Sequence, residues 1–466
     1  MSSTTSWFEA AVRPEDVGPR LIDAVGELSA DGAALVGCRV IRLRSSSPEG
    51  HWSATYLLDV CGPEPGRRRT IVAYGVLTPP GLPLPRAAAA LPFGADGWQV
   101  VLPELRLHLR TEATDEGLPA LSLLSDPEDA RCLLEGALRA GTARYADIRL
   151  DWAKPVMVSH KPGVRATSVC RLGVVGGPAD LAVVIKVHSD DQGLHADRVL
   201  RALCASPLGS SRRVILAESL GYLSDMRMSV QAHVEHRATL KDLVHQGFDD
   251  ATDQAWPQLL ATTRTTAAGL AELHGCGVDL GPAVTFEDEL AALMRKRDKL
   301  AAVLPWLPED RRAVLERLGS AARAMAEDPL GPAHHSFRPA QVLVVGDRVA
   351  FIDLDKFCQA EPASDLAVFT TKIRHMAVNK ARASQTGEGV PVVNGTRIVR
   401  MRAADEVRAA FLSEYEQHAT VSRDRIVLWE AMELFSLVLS AGKKAQHAWV
   451  ESCLFMLEHH LQAHDL

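Results

Sequence analysis

The feature that most constrains this chain is the order of its hydrophobic patterns. Two stretches of short, β-branched apolar runs lie about 112 residues apart, and a long remainder follows in helical rhythm. In the first stretch Val40–Leu43, Ala54–Leu58 and Thr70–Tyr74 read as strands, with Gly50 and the Gly62–Gly66 cluster as turns. In the second, Val156–Val158, Ala166–Cys170 and Leu181–Val187 read the same way. SPEGHWSATYLLDV at 47–60 lies against KPGVRATSVCRL at 161–172, which suggests a duplicated three-stranded unit. Between them, residues 126–140 form a helix pattern with Ser125 or Asp126 as N-cap. From 251 onward Leu259, Leu260, Thr263, Ala267, Leu270 and Leu273 mark one face of a helix. Two short strands at 342–345 and 349–352 flank the turn Gly346-Asp347, and 383–396 reads as a loop. This order predicts an α+β chain in which a small sheet lobe accompanies a helical lobe.

At 466 residues the chain has room for several packing units. The patterns divide it into a β-rich N-terminal region (1–150), a sheet lobe (151–235) and a helical lobe (236–466). A formal charge of −7 argues against nucleic acid as a partner, because phosphate backbones demand a basic excess. No apolar run is long enough to span a membrane, and the N-terminus has no apolar signal core. The eight cysteines stand singly, with no Cys-x-x-Cys pair, as free thiols of a reducing compartment do. A cytoplasmic location is expected.

One segment carries chemistry: HHSFRPAQVLVVGDRVAFIDLDKF, residues 334–357. It resembles the signature of the aminoglycoside phosphotransferase and choline kinase family, H-G-D-x-H-P-x-N, a strand, a turn, a strand, then I-D-F/W. Aligned from His334, Ser336 falls on the family's catalytic Asp, Arg338 on its second His, Pro339 on its Pro and Gln341 on its Asn. Asp353 falls on the metal-binding Asp. Pro362–Ala367 resembles D-P-x-x-D-L-A, with Asp365 in a structural position. Leu270–His274 resembles L-A-x-L-H, and Phe411–Tyr415 resembles F-L-x-x-Y. The resemblance covers roughly 155–460 and implies a bilobal, protein-kinase-like fold with an additional N-terminal β-rich domain.

The resemblance also implies ATP and Mg2+ as cofactors. Lys186, closing a strand, would meet ATP phosphates, and Asp197 on the next helix would present an acid to that lysine. Gln231 and His233 would offer backbone groups to adenine, while Gln341 and Asp353 would ligate magnesium. In the N-terminal copy Tyr74 or Ala73 stands near the place of Lys186. His334, Ser336 and Arg338 form the catalytic-loop set.

Ser336 is the departure that matters. A serine hydroxyl is no carboxylate base at neutral pH, yet phosphoryl transfer depends largely on positioning and electrostatics. His335 is a substitute base on paper. Two readings follow. One is a phosphotransferase acting on a hydroxyl, either of a small molecule or of Ser/Thr in a precursor peptide. The latter is similar to kinases of class V lanthipeptide or thioamitide-type peptide biosynthesis, in which a partner lyase then eliminates phosphate. The other is a pseudokinase that binds nucleotide or a partner enzyme without transfer.

Overall fold

A computed structural model of the chain describes residues 7–26, 34–45, 50–61, 68–84, 98–111, 117–161, 163–177, 181–249, 254–304, 310–383, 394–443 and 447–466. The expected Gly62–Gly66 turn and most of the expected 383–396 loop lie outside them. Two compact units result, one of residues 1–116, 293–314 and 437–451, the other of 117–292, 315–436 and 452–466.

The first unit opens with helices α1 (Trp7–Val12) and α2 (Pro14–Gly26). Strands β1 (Ala34–Ser45), β2 (Trp52–Cys61), β3 (Arg68–Leu77), β4 (Gln99–Leu102) and β5 (Leu107–Thr111) follow. They form one antiparallel sheet in the order β1-β2-β3-β5-β4. Leu105, Leu107 and Leu109 are buried, and the polar residues alternating with them are not. That period of two is what makes β5 a one-sided strand. The buried Tyr56 hydroxyl donates to the Ala11 carbonyl at 2.9 Å, tying α1 to the sheet.

The second unit starts with α3 (Ala120–Ser125) and α4 (Pro127–Gly141), whose N-cap is Asp126, accepting the amides of Glu128 and Asp129. Strands β6 (Leu150–Lys161), β7 (Arg165–Val174) and β8 (Leu181–His188) lead to α5 (Gln192–Ala205). The two-residue β9 (Val214–Ile215), then β10 (Ser219–Leu223) and β11 (Met228–Ala232) follow. The second sheet has the order β6-β7-β8-β11-β10. Counted within each sheet, this is the same strand order as in the first. The register agrees too: Thr55 faces Tyr74 across β2–β3, and Thr167 faces Lys186 across β7–β8. Each member of the second pair is 112 residues beyond its counterpart. A β-bulge interrupts the first strand pair where its partner strand passes from Tyr56 to Thr55, and again where it passes from Ser168 to Thr167. The units are five-stranded rather than three-stranded, because each meander recruits a following hairpin.

The helical portion runs through β12 (Ala238–Thr239), α6 (Leu240–Asp249), α7 (Ala255–His274), β13 (Ala283–Val284), α8 (Phe286–Ala301) and α9 (Asp310–Ala324). Then come β14 (Gly331–Ala333), the hairpin β15 (Val342–Val345) and β16 (Arg348–Phe351), and β17 (Cys358–Ala360). Helices α10 (Pro362–Ala383), α11 (Asn394–Tyr415), α12 (Arg423–Lys443) and α13 (His447–Ala463) complete the chain. Phe369 of α10 stacks on Phe411 of α11 at 4.1 Å, a contact that fixes these helices face to face. The chain is thus an α+β fold with an additional β-rich region at its N-terminus. Among the described residues no helix is long and apolar enough to cross a membrane.

The back of the second sheet is sealed by α4 at very short range. A Cβ on Gly141 would lie 1.9 Å from the Leu220 carbonyl oxygen and 2.5 Å from the Gly221 Cα. Neither neighbour is a side chain that can swing aside. Leu134 and Leu138 of α4 share a core with Leu172, Ile185, Val187 and Val230, so the approach sets the seating of the strand that carries Lys186. Gly141→Ala is expected to lower stability by about 1–3 kcal/mol, the usual cost of overpacking. Urea unfolding measures this, and an unchanged midpoint would contradict the close packing.

Candidate active site

The site forms where one sheet face meets the residues that follow the β15–β16 hairpin. Side chains two apart on a strand share a face. Arg165 and Thr167 of β7 therefore point the same way as Lys186 and His188 of β8, which lie directly opposite them. The hairpin brings Asp353 and Asp355 back to this face. Asp353 adopts a left-handed backbone (φ 69°), a conformation that Asp tolerates better than most residues.

The ion pairs are dense. The Lys186 ammonium donates to Asp353 Oδ1 at 3.0 Å and to Asp355 Oδ1 at 2.9 Å. The Arg165 guanidinium spans both acids, reaching Asp353 Oδ1 at 2.9 Å and Oδ2 at 3.3 Å, and Asp355 Oδ2 at 2.5 Å. His188 Nε2 lies 3.2 Å from Asp355 Oδ2. Burial alone would raise the Asp353 carboxyl, but Lys186 and Arg165 outweigh it and hold the group well below the usual carboxylate range. Asp355 is lowered in the same way, against its burial, by His188 and Lys186. Burial pulls on Lys186 in the opposite sense, and the two aspartates keep it firmly protonated.

The loop that carries His334, Ser336 and Arg338 is held from behind by a fully buried carboxylate. Asp365, in the first turn of α10, accepts the His334 amide at 2.7 Å and the Phe337 amide at 3.4 Å. It also faces His274 Nε2 at 3.2 Å, whose Nδ1 meets the Tyr415 hydroxyl at 2.8 Å. Four separate sequence motifs thus converge on one buried network. His334 itself is buried, with Nε2 2.9 Å from the Ile352 carbonyl, so it supports the loop and faces no substrate.

Ser336 stands at the centre, half-buried, its hydroxyl accepting from Gln341 Nε2 at 3.3 Å. Gln341 turns its amide nitrogen, not its oxygen, to Asp353 Oδ2 at 3.2 Å, while Oε1 accepts the Arg338 amide at 3.0 Å. The two partners fix this orientation: one is an acceptor only, the other a donor only. Arg338 is exposed.

Other expected residues sit differently. Asp197 does not meet Lys186. It accepts from Arg201 Nε at 3.0 Å and from the Ser219 hydroxyl, because α5 turns it toward β10 while Asp353 and Asp355 take the lysine. The amides around Gln231 and His233 are committed to the sheet, that of Ala232 to Glu218 and that of His233 to Ala182 at 3.1 Å. Those amides are therefore not free for a base. His335 is no base either. Burial would lower its pKa, but contacts with Cys358 and Glu289 outweigh this and lift it to about 10. Its Nε2 lies 3.1 Å from Glu289.

Arg165 was not singled out from the sequence, and His188 was not placed in the site. The signal was present: Arg165 precedes Thr167 by two in a strand whose Thr167 faces Lys186. In the first sheet the same offsets give Ser53 opposite Val76, and Thr55 opposite Tyr74. At these three matching positions the first sheet has no counterpart of the arginine, lysine or histidine.

The donor set does not fit a divalent cation as it stands. Both Asp353 oxygens are occupied by protein N–H donors, and the amide oxygen expected of Gln341 points away. Like unit charges 4 Å apart repel by about 4 kcal/mol at a surface-type dielectric, so a metal ion beside Arg165 and Lys186 would start at a disadvantage. Among the described residues no group of three or more His, Cys, Asp or Glu is arranged to hold a metal.

Residues 175–392 match the sequence model of the phosphotransferase enzyme family. Among solved structures, the chain is similar to a choline/ethanolamine kinase family protein from Mesorhizobium loti, at 14% identity and a TM-score of 0.45, over 72% of this chain and 94% of that one. A glucosamine kinase shares 17% identity at a TM-score of 0.45, over 98% and 99%. An ethanolamine kinase from Plasmodium vivax shares 9% at 0.46, over 72% and 88%. No curated protein matches the chain.

His335 gives a test with a sign. Its folded pKa, about 10, lies above the ordinary 6.5, so its contribution is fully present below pH 6.5 and is lost as pH climbs to about 10. His335→Gln is expected to cost about 1.5–3 kcal/mol at pH 6 and little near pH 10. Denaturant unfolding at both pH values measures the difference, and an equal cost at each would refute the charged pair.

Proposed function

We propose that this chain is a nucleotide-dependent phosphotransferase of divergent type, moving the terminal phosphoryl group of ATP to a hydroxyl. The observation that carries the reading is the convergence of Lys186 with Asp353 and Asp355, within the segment that matches the phosphotransferase family. A strand lysine and a neighbouring arginine, held in place by carboxylates from a tight hairpin, form an arrangement suited to holding a polyphosphate in line with an acceptor. In the reaction the bond from the γ-phosphorus to the β–γ bridging oxygen breaks and a bond to the acceptor oxygen forms. ADP leaves, and the acceptor proton passes to solvent or to a phosphate oxygen, since Ser336 cannot take it. The acceptor is a hydroxyl of a small molecule or of Ser/Thr in a precursor peptide. A partner lyase acting after the transfer belongs to the peptide version of this reading, and a cytoplasmic setting to both.

A second reading has its own support. Ser336 replaces the base, and the carboxylates are already neutralised by Lys186 and Arg165. A protein so built serves as a nucleotide-holding partner subunit without turnover.

Incubation with γ-labelled ATP and a panel of amino sugars, choline and Ser/Thr peptides separates the two. Transfer to any acceptor, lost in Lys186→Ala, supports the enzyme. Ser336→Asp is then expected to raise the rate by up to about 10²–10⁴, the range of general-base assistance. Nucleotide binding with no transfer favours the partner subunit, and absence of nucleotide binding overturns both.

A further inference from the structure

We propose that Arg165 takes the place of the divalent cation, so that this site binds the phosphates of free, metal-free nucleoside triphosphate. The inference rests on the reading of the site as a nucleotide site. Three observations on separate elements support it. First, the Arg165 guanidinium bridges Asp353 and Asp355 through its terminal nitrogens, lying between the two carboxylates that a metal would otherwise share. Second, Gln341 presents N–H rather than oxygen to Asp353. Each ligand atom that a cation needs is thus replaced by, or bonded to, a donor.

Third, the surroundings carry the wrong charge for a metal and the right one for phosphate. Lys161, at the end of β6, has its pKa lowered by burial first and then by the nearby charge of Arg165, against an opposing pull from Asp353, and it also feels Arg338 and Lys356. The neighbourhood therefore holds Lys161, Arg165, Lys186, Arg338 and Lys356 against Asp353, Asp355 and, beside Lys356, Glu289. A metal site needs a surplus of oxygen ligands and negative charge. A surplus of guanidinium and ammonium groups instead attracts phosphate oxygens, and arginine binds them in bidentate fashion.

On this view the two aspartates are positioning residues. They hold Arg165 and Lys186 extended on the sheet face, while the guanidinium, with five N–H donors in all, keeps capacity for a phosphate. Magnesium complexed to a triphosphate would bring its own charge against Arg165 and so gain nothing by accompanying the nucleotide.

Calorimetric titration of the full chain with ATP, once in EDTA and once in magnesium, tests this directly. The wild type is expected to bind ATP in EDTA at least as tightly as in magnesium. Arg165→Ala is expected to lose about tenfold or more of its metal-free affinity, the worth of a charge-assisted hydrogen bond, and to become magnesium-dependent. Arg165→Lys, which keeps the charge without the fork, should recover part of the metal-free binding, and its thermal unfolding monitors the fold independently. Wild-type binding that requires magnesium would overturn the proposal while leaving the nucleotide site intact. Absence of binding in both buffers would overturn the nucleotide reading and the proposal with it.

Discussion

The structure of the site depends on a carboxylate that touches no solvent. Asp365 lies fully buried between the loop of residues 334–337 and the end of α7. A buried, ionised carboxyl is tolerated only where donors surround it. Here two loop amides and His274 do so, and His274 is in turn fixed by Tyr415. Burial works to raise the Asp365 pKa, and the histidines around it nonetheless hold it low. The loop is thus shaped from behind, by groups that are themselves buried. This explains how Ser336 can stand where the resemblance places an acid without the loop losing its form: the backbone is held by its neighbours' amides, not by the side chain at 336.

In front of that scaffold the charges are rearranged. The strand lysine looks across to Asp353 and Asp355, and the helix acid Asp197 is occupied with Arg201 and Ser219. Arg165 then closes the cluster from the neighbouring strand. Each step is local and electrostatically consistent: once two aspartates take the lysine, the helix acid has no cation to meet there. Scaffold and chemistry are therefore separable here. The hairpin, the buried network and the sheet follow from packing and hydrogen bonding, whereas the balance of charge on the sheet face rests on a few side chains, Arg165, Lys186, Asp353 and Asp355.

Much of the scaffold was legible in the sequence, and for physical reasons. Strand alternation, the Gly346-Asp347 turn and the helical spacing of Leu259 to Leu273 are short-range signals, and each appears as an element. His274, Asp365 and Tyr415 could be named from motifs, but that they form one network needed three dimensions. The partners of Asp197 and Lys186 were not legible. Which acid meets which base depends on helix rotation and strand register over more than a hundred residues of sequence separation. β4 and β5 were missed because they are short, although the Leu105, Leu107, Leu109 alternation carried the signal. The protonated state of His335 was hidden as well, since Glu289 and Cys358 approach it only in the folded chain.

The two sheets share strand order, a register offset and the bulge beside Thr55 and Thr167. That pairing offers an internal control of a kind few chains contain. Whatever both sheets keep is owed to the architecture of the meander; whatever only one keeps is not demanded by that architecture. By that standard the bulge is a requirement of strand geometry. The lysine, arginine and histidine of the second sheet, matched by Tyr74, Ser53 and Val76 in the first, are additions that the backbone did not require. The N-terminal sheet is the same frame carrying other side chains, and its sequence records how little of the second sheet's chemistry the frame itself demands.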